Sequence, residues 1–370
     1  MIPRRLSSGI DVYRIWYKIT FQRGRILSTD PEAWRRYADP SVFSSAGAFF
    51  SCDATPPSVR IFEEPVRAGA RVQRLEFASK RPLTFPETNR AVGHLYTPLG
   101  RPDAPVVVLS HGWAHRSRRG IERLYVRPLL RRKLAVLLPA HPLHYERTPQ
   151  GAYSGEMMVS GDAALTVEAF RQAVTDINAA VNYLISSGRR RWGLFGYSLG
   201  GYIAGLLAAA REDAAFLVIA GCGDSVISPI LDTRLGRNVR EDLSHSGLLD
   251  RKKLELFWGT ISPSRWRPVV RRDRILLVAG RYDRIMLAES VERLWRAWNR
   301  PAIHWLPRGH YTLLAAPGAL MRHAIPFMER RLSGEFSALG TQEGDEPGAE
   351  PRVGGKGERE DEIAAPSEAG

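Results

Sequence analysis

The sequence predicts an α/β fold, a doubly wound and mostly parallel sheet of about eight strands with a short cap insertion, and three observations carry that expectation. Short, continuously apolar runs recur between residues 106 and 307, longer helical patterns fall between most of them, and one serine stands between two glycines directly after one of the runs. A strand covered by helices on both faces has no solvent side, so it reads as an unbroken apolar run rather than as an alternation.

Residues 1–70 form an N-terminal region outside that pattern. Its start, "MIPRRLSSGIDVYRIWYKITFQRGRIL", lacks the uninterrupted apolar core of a signal peptide, because Asp11, Arg14 and Lys18 break it. Ile10, Tyr13, Tyr17 and Phe21 recur at spacings of three and four among Arg14, Lys18, Arg23 and Arg25, which predicts an amphipathic basic helix. Such a helix either rests on the protein's own core, the expected state, or lies in a membrane interface. "DPSVFSSAGAFFSCDATPP" then reads as an irregular connection.

Residues 71–334 are the predicted α/β domain. "RVQRLEFAS" and "AVGHLYTP" open it as antiparallel strands, followed by "VVVLS", "LAVLLPA", "WGLFG", "AFLVIAG", "RILLVAG" and "AIHWLP" as buried parallel strands. The clearest helix spans 162–186, where Phe170, Val174, Ile177, Val181 and Leu184 trace one buried face. Between 222 and 270 the alternation stops. That charged segment, with Trp258 and Trp266, reads as a cap over the crevice. Residues 335–370, rich in Gly, Glu, Pro and Ala, cannot bury enough apolar surface to offset ordering and are expected to be disordered.

At 370 residues and 44% hydrophobic, the chain can bury a large core. Its two cysteines, Cys52 and Cys222, form no disulfide framework or metal motif, which suggests a reducing compartment and a cytoplasmic protein, with peripheral placement at a membrane as the alternative. No stretch approaches the ~18 consecutive apolar residues of a membrane span. The net charge of +14 conceals an asymmetry: the tail's ten acidic and three basic residues make −7, so residues 1–334 carry +21. A body that basic attracts anions, an anionic membrane surface among them, while the scattered arginines form no specific nucleic-acid motif.

The serine defines the candidate site. Gly196-Tyr197-Ser198-Leu199-Gly200 follows the "WGLFG" strand and precedes the small-faced helix "LGGYIAGLLAAA". Taken alone, the pentapeptide reads equally as a Gly-rich helix start capped by Ser198. With a strand before it and a helix after it, it fits a nucleophile elbow, a corner so tight that a Cβ two residues away would collide. Serine is a weak nucleophile at neutral pH and needs a base held by an acid. "RILLVAGRYD" ends in Asp283 just beyond one strand and "AIHWLPRGH" ends in His310 just beyond the next, in the order Ser, acid, His that this arrangement requires. Asp224, after the preceding strand, is the rival acid.

A tetrahedral intermediate needs two preorganised donors. The amide of Leu199 is one candidate, and the amide of Trp113, in "SHGWAH" after an early strand, is the other. Tyr197, His111, His144 and Tyr145 are expected to contact substrate, and Arg147 is a further candidate contact. His141 and His144 lack a third ligand, so no metal is expected, and the chemistry needs no cofactor.

Over roughly residues 70–332 the chain resembles the α/β-hydrolase superfamily, through His111-Gly112-Trp113, the Ser198 pentapeptide, Asp283 and His310. More narrowly it resembles the alpha/beta hydrolase domain-containing protein 18 group, through "YVRPLLRRKLAVLLPAHPLHYERTP", "FGYSLGGYIAGLLA" and "GHYTLLAAPGALMRHAIPFMERRL". The resemblance implies a serine hydrolase acting on a small-molecule or lipid acyl ester through an acyl-enzyme on Ser198. A thioesterase, peptidase or acyltransferase on the same triad is the first alternative. A catalytically silent, membrane-associated binding protein is the second.

Overall fold

A computed structural model describes residues 3–21, 27, 29–37, 45–114 and 117–333. The acidic tail, Arg23 and Arg25 of the predicted basic helix, and residues 39–44 that begin the irregular connection lie outside the described residues.

One nine-stranded sheet organises the chain. Its strands are β1 (Arg60–Arg67), β2 (Ala70–Ala78), β3 (Arg90–Pro98), β4 (Val106–Ser110), β5 (Ala135–Ala140), β6 (Trp192–Tyr197), β7 (Leu217–Ala220), β8 (Ile275–Gly280) and β9 (Ala302–Leu306), in the order β1-β2-β3-β5-β4-β6-β7-β8-β9. The first three pair antiparallel and β3 meets β5 antiparallel, whereas β5, β4, β6, β7, β8 and β9 run parallel. The ninth strand beyond the sequence expectation is β1. It pairs on one side only, buries none of its residues, and carries Pro65 near a register shift, so neither apolar face nor alternation marks it.

The main helices are α1 (Arg4–Phe21), α2 (Ala163–Ser186), α3 (Leu199–Ala210), α4 (Ala288–Ala297), α5 (His310–Leu314) and α6 (Gly318–Leu332). Successive strand residues feed two separate cores. Val106 and Val108 of β4 join Leu194, Leu277 and the α2 and α3 faces on one side of the sheet, while Val107 and Leu109 join Phe195, Val278 and the α6 face on the other. This double burial is why the central strands carry no polar alternation. Asp162 caps α2 by accepting the Leu165 amide at 2.9 Å, and Phe170, Val174, Ile177, Val181 and Leu184 are all buried.

Chain order turns around at β4. The connection from β4 leads to β5 on one side, and the chain then crosses to β6 on the other, so β4 and β6 form the switch point where an open α/β sheet leaves a crevice at its carboxyl edge. Ser110, the last residue of β4, pairs in register with Gly196. The loop beginning at His111 and the corner at Ser198 therefore emerge side by side.

Segment 222–270 folds into short helices, Ile227–Leu231, Arg237–His245 and Arg251–Trp258. Its tryptophans do not face the crevice. Trp258 is fully buried and donates its indole N–H to the Ala163 carbonyl at 3.2 Å, and Trp266 stacks on Phe49 at 5.7 Å. No described helix is long and apolar enough to cross a membrane.

Candidate active site

At the corner between β6 and α3, Ser198 adopts φ 52° and ψ −125°, a backbone conformation costly for any residue with a Cβ. The flanking glycines allow the approach this strain requires. A Cβ on Gly196 would fall on the Gly200 carbonyl, and one on Gly200 would fall on the Ser110 carbonyl and within 2.6 Å of the His111 carbonyl oxygen. The hydroxyl is thereby raised above the sheet edge.

Three sequence-separated residues meet there. Ser198 Oγ lies 3.1 Å from His310 Nε2, and His310 Nδ1 lies 2.8 Å from Asp283 Oδ2. The other Asp283 oxygen accepts the amides of Ile285 and Met286 at 2.8 and 2.7 Å, which fixes the carboxylate plane. His310 and Asp283 are buried. Burial alone would lower the proton affinity of His310, but the charge and hydrogen bond of Asp283 outweigh it, and the imidazole pKa is raised above its ordinary 6.5. Asp224 serves elsewhere: it accepts from Ser290 Oγ at 2.5 Å and from Arg293 Nε at 2.7 Å.

Ser198 opens into a cavity of about 310 Å³. Its walls are mostly apolar, with Leu124, Phe170, Ile230 and Met286 among them, and Gly112, Trp113 and Leu199 border it beside the serine. As the first residue of α3, Leu199 has an amide without an intrahelical acceptor. Tyr197 also borders the cavity, its buried ring stacked on Tyr125 at 4.7 Å.

Other expected substrate contacts lie behind the 112–114 loop instead. His144 is buried, its Nε2 accepting the Ala114 amide at 3.2 Å, with its Nδ1 2.9 Å from the Pro142 carbonyl. His111, also buried, places Nδ1 2.8 Å from the Gly112 carbonyl, and its Nε2 accepts the His141 amide at 3.3 Å. Tyr145 packs edge-on against the His111 ring at 4.9 Å. Positive φ values of 64° at Leu143 and 51° at Tyr145 turn the chain after β5 back beneath the loop, which explains the departure. These residues support the 112–114 loop from below. Arg147 is likewise internal, paired with Asp176 at 2.6 Å and donating to the Ala140 carbonyl at 2.9 Å. Among the described residues no group of three His, Cys, Asp or Glu is placed to hold a metal ion.

The sequence pattern gave no sign of one contributor. Helix α1 packs over α5 and the Arg234–Gly236 turn, bringing Arg14 and Lys18 to the cavity wall. Lys18 Nζ stands 4.8 Å from the Trp113 ring centroid, and burial, with Arg14 adding to it, pushes its pKa down to about 8. The expected apolar stripe does not make the docking face: Tyr13 and Tyr17 are exposed, while Ser7, Asp11 and Ile15 are buried.

No family model matches the chain. Over 179 residues, 48% of this chain, it is 32% identical to the uncharacterized protein Rv2627c of Mycobacterium tuberculosis, and the match spans only 42% of that relative. A second relative, the uncharacterized protein YdjC of Bacillus subtilis, is 25% identical over 103 residues, 28% of this chain and 88% of its own. Among solved structures the chain is similar to acetyl xylan esterase 1 from Thermoanaerobacterium sp. JW/SL YS485, with TM-score 0.58 and 16% identity over 84% of this chain and 96% of that one. The acetyl xylan esterase from Paenibacillus sp. R4 gives TM-score 0.56 and 16% identity over 84% and 97%. Pyrococcus horikoshii acylaminoacyl peptidase gives TM-score 0.50 and 13% identity over 81% of this chain and 45% of its own. At such identities the likeness establishes the fold, and the fold of this chain is that of the α/β hydrolases.

Proposed function

We propose that this protein is a serine hydrolase that cleaves a carboxylic ester through an acyl-enzyme on Ser198. The observation that carries the reading is the hydrogen-bonded relay from Ser198 through His310 to Asp283 at the mouth of an apolar cavity. Ser198 Oγ attacks the acyl carbonyl while His310 Nε2 takes its proton, and Asp283 holds the imidazolium that forms. The amides of Leu199 and Trp113 receive the oxyanion. His310 then returns the proton to the departing alcohol, and a water molecule deprotonated by the same nitrogen releases the acid.

The apolar lining favours an ester with a hydrocarbon acyl group, a lipid ester included. Thioesters, peptides and acyl transfer use the same relay, so a panel of matched esters, thioesters and aminoacyl amides ranks them. Kinship with the alpha/beta hydrolase domain-containing protein 18 group rests on the sequence stretches quoted above. Replacing Ser198 by Ala should abolish labelling by a fluorophosphonate and hydrolysis of p-nitrophenyl esters; labelling that persists would move the nucleophile elsewhere.

An anionic lipid surface is the partner this reading suggests. The solvent side of α1 exposes Leu6, Val12, Tyr13 and Trp16, and residues 1–334 carry +21. Replacing Tyr13 and Trp16 together by Ser should weaken sedimentation with phosphatidylglycerol liposomes several-fold. Equal sedimentation would remove the helix from the account.

A further inference from the structure

Helix α1 carries a buried carboxylate beside the relay that the mechanism above does not use. Asp11 Oδ2 accepts the backbone amide of His310 at 2.7 Å and that of Arg284 at 3.3 Å, and Oδ1 accepts the amide of Tyr311 at 2.9 Å. One turn earlier, Ser7 Oγ accepts the Gly309 amide at 2.6 Å and lies 2.6 Å from Thr312 Oγ1. Both side chains are completely buried. The fit is close, since a Cβ on Gly309 would stand 2.8 Å from Asp11 Cγ. One side chain thus bridges the residue following Asp283 and the backbone of His310 itself, although it lies 273 and 299 positions away in the sequence.

We propose that Asp11 is a positioning residue for the triad. Its carboxylate locks the His310 loop against the Asp283 loop and places a second negative charge near the imidazolium. The inference rests on the serine-hydrolase reading. The amides of His310, Tyr311 and Arg284 take their acceptors from α1, and that of Gly309 is shared between Ser7 Oγ and Thr312 Oγ1, the latter at 2.9 Å. A buried amide left without an acceptor is costly, so these loops depend on α1 for their closed form. The charges bearing on His310 are Asp283 and Asp11, which favour the imidazolium, and Lys18, which opposes it. Arg14, from the same helix as Lys18, sits over the Tyr311 ring at 5.4 Å. Burial and the neighbouring Asp283 raise the proton affinity of Asp11, while the Tyr311 and His310 amides oppose that rise.

The test uses the full chain with Asp11→Asn, Asp11→Ala and Ser7→Ala, measuring melting temperature and the pH profiles of kcat and KM on p-nitrophenyl butyrate. Asp11→Asn keeps the size, removes the charge and turns one of the two acceptor oxygens into a donor that faces an amide. It should lower kcat roughly ten-fold with KM within about twofold, and Asp11→Ala on the order of a hundred-fold, since small displacements of a catalytic group are costly. The acid limb of kcat/KM should also move to lower pH in Asp11→Asn, because a charge that favours the imidazolium is gone. Ser7→Ala, which loosens the same turn through a neutral group, should lower kcat and leave the limb in place. Wild-type kcat and an unmoved limb in Asp11→Asn would overturn the proposal. An equal displacement in Ser7→Ala, or loss of the folded state in both Asp11 variants, would overturn it in favour of a purely structural helix. Failure of the underlying reading shows separately, as turnover that survives Ser198→Ala.

Discussion

Replacing Asp283 by Asn tests the relay at its least forgiving point, because the structure dictates how the new side chain must sit. Asp283 Oδ1 accepts two backbone amides, from Ile285 at 2.8 Å and Met286 at 2.7 Å. An NH2 group placed there would face two donors and leave both amides unsatisfied, at about 1–3 kcal/mol each. The Asn oxygen therefore keeps that position, and its NH2 group takes the place of Oδ2, 2.8 Å from His310 Nδ1. Nδ1 must then accept, so the imidazole proton moves to Nε2 and points at Ser198 Oγ, 3.1 Å away. A nitrogen that already carries a proton has no lone pair free to take one from serine, so Nε2 can no longer act as the base. Inverting a histidine tautomer in such a relay costs on the order of 10⁴ in kcat, about 5.5 kcal/mol of barrier. The assay is steady-state hydrolysis of p-nitrophenyl butyrate, with thermal melting to establish that the variant is folded. Asp224→Asn is the internal control and should keep kcat within about twofold, since Asp224 is occupied by Ser290 and Arg293. Folded Asp283→Asn retaining more than about a tenth of wild-type kcat would refute the assignment of Asp283 to the relay.

Two further outcomes follow from the same geometry. His310 must be neutral to act as base and its pKa is raised, Asp283 prevailing over burial, so kcat/KM should rise with pH through a midpoint above 6.5; Lys18→Met, which deletes a charge opposing the imidazolium, should move that midpoint higher still, and a downward move would show that Lys18 does not act on His310. Arg147→Met leaves Asp176 buried without its partner at 2.6 Å, and chemical denaturation should record a loss of about 3–5 kcal/mol; a loss below about 1 kcal/mol would place solvent or another cation at Asp176.

The central parallel strands were legible because burial on both faces forces apolar side chains at every position, whereas β9, expected to be buried, is the edge strand and has none of its residues buried. The order of Ser198, Asp283 and His310 was legible for a related reason: each lies just beyond a strand, and parallel strands deliver their carboxyl ends to one edge. What followed β5 was not. His144, Tyr145 and Arg147 also come soon after a strand, yet they turn beneath the 112–114 loop, because the reversal at Leu143 and Tyr145 depends on φ values that neither residue type advertises. Trp258 and Trp266 show the same limit. A tryptophan in a cap-like segment is as able to fill a core as to line a pocket, and here both pack inward.

Helix α1 shows a different kind of illegibility. Apolar spacing assigns a docking face only when the surface awaiting the helix is apolar. Here that surface includes the backbone of the Asp283 and His310 loops, whose amides need acceptors, so the inward side of α1 carries Ser7 and Asp11 with Ile15 one turn further on. The aromatic residues that periodicity selects are left outside. A helix held by acceptors aligned to individual amides has little freedom to slide or rotate, unlike one held by a greasy stripe, and that stiffness is what a relay of hydrogen bonds near 3 Å demands of its supports. On the proposed function the N-terminal helix therefore belongs with the site: removing it would strip acceptors from the amides of Arg284 and His310 at once, one on each of the loops that hold Asp283 and His310 beside Ser198.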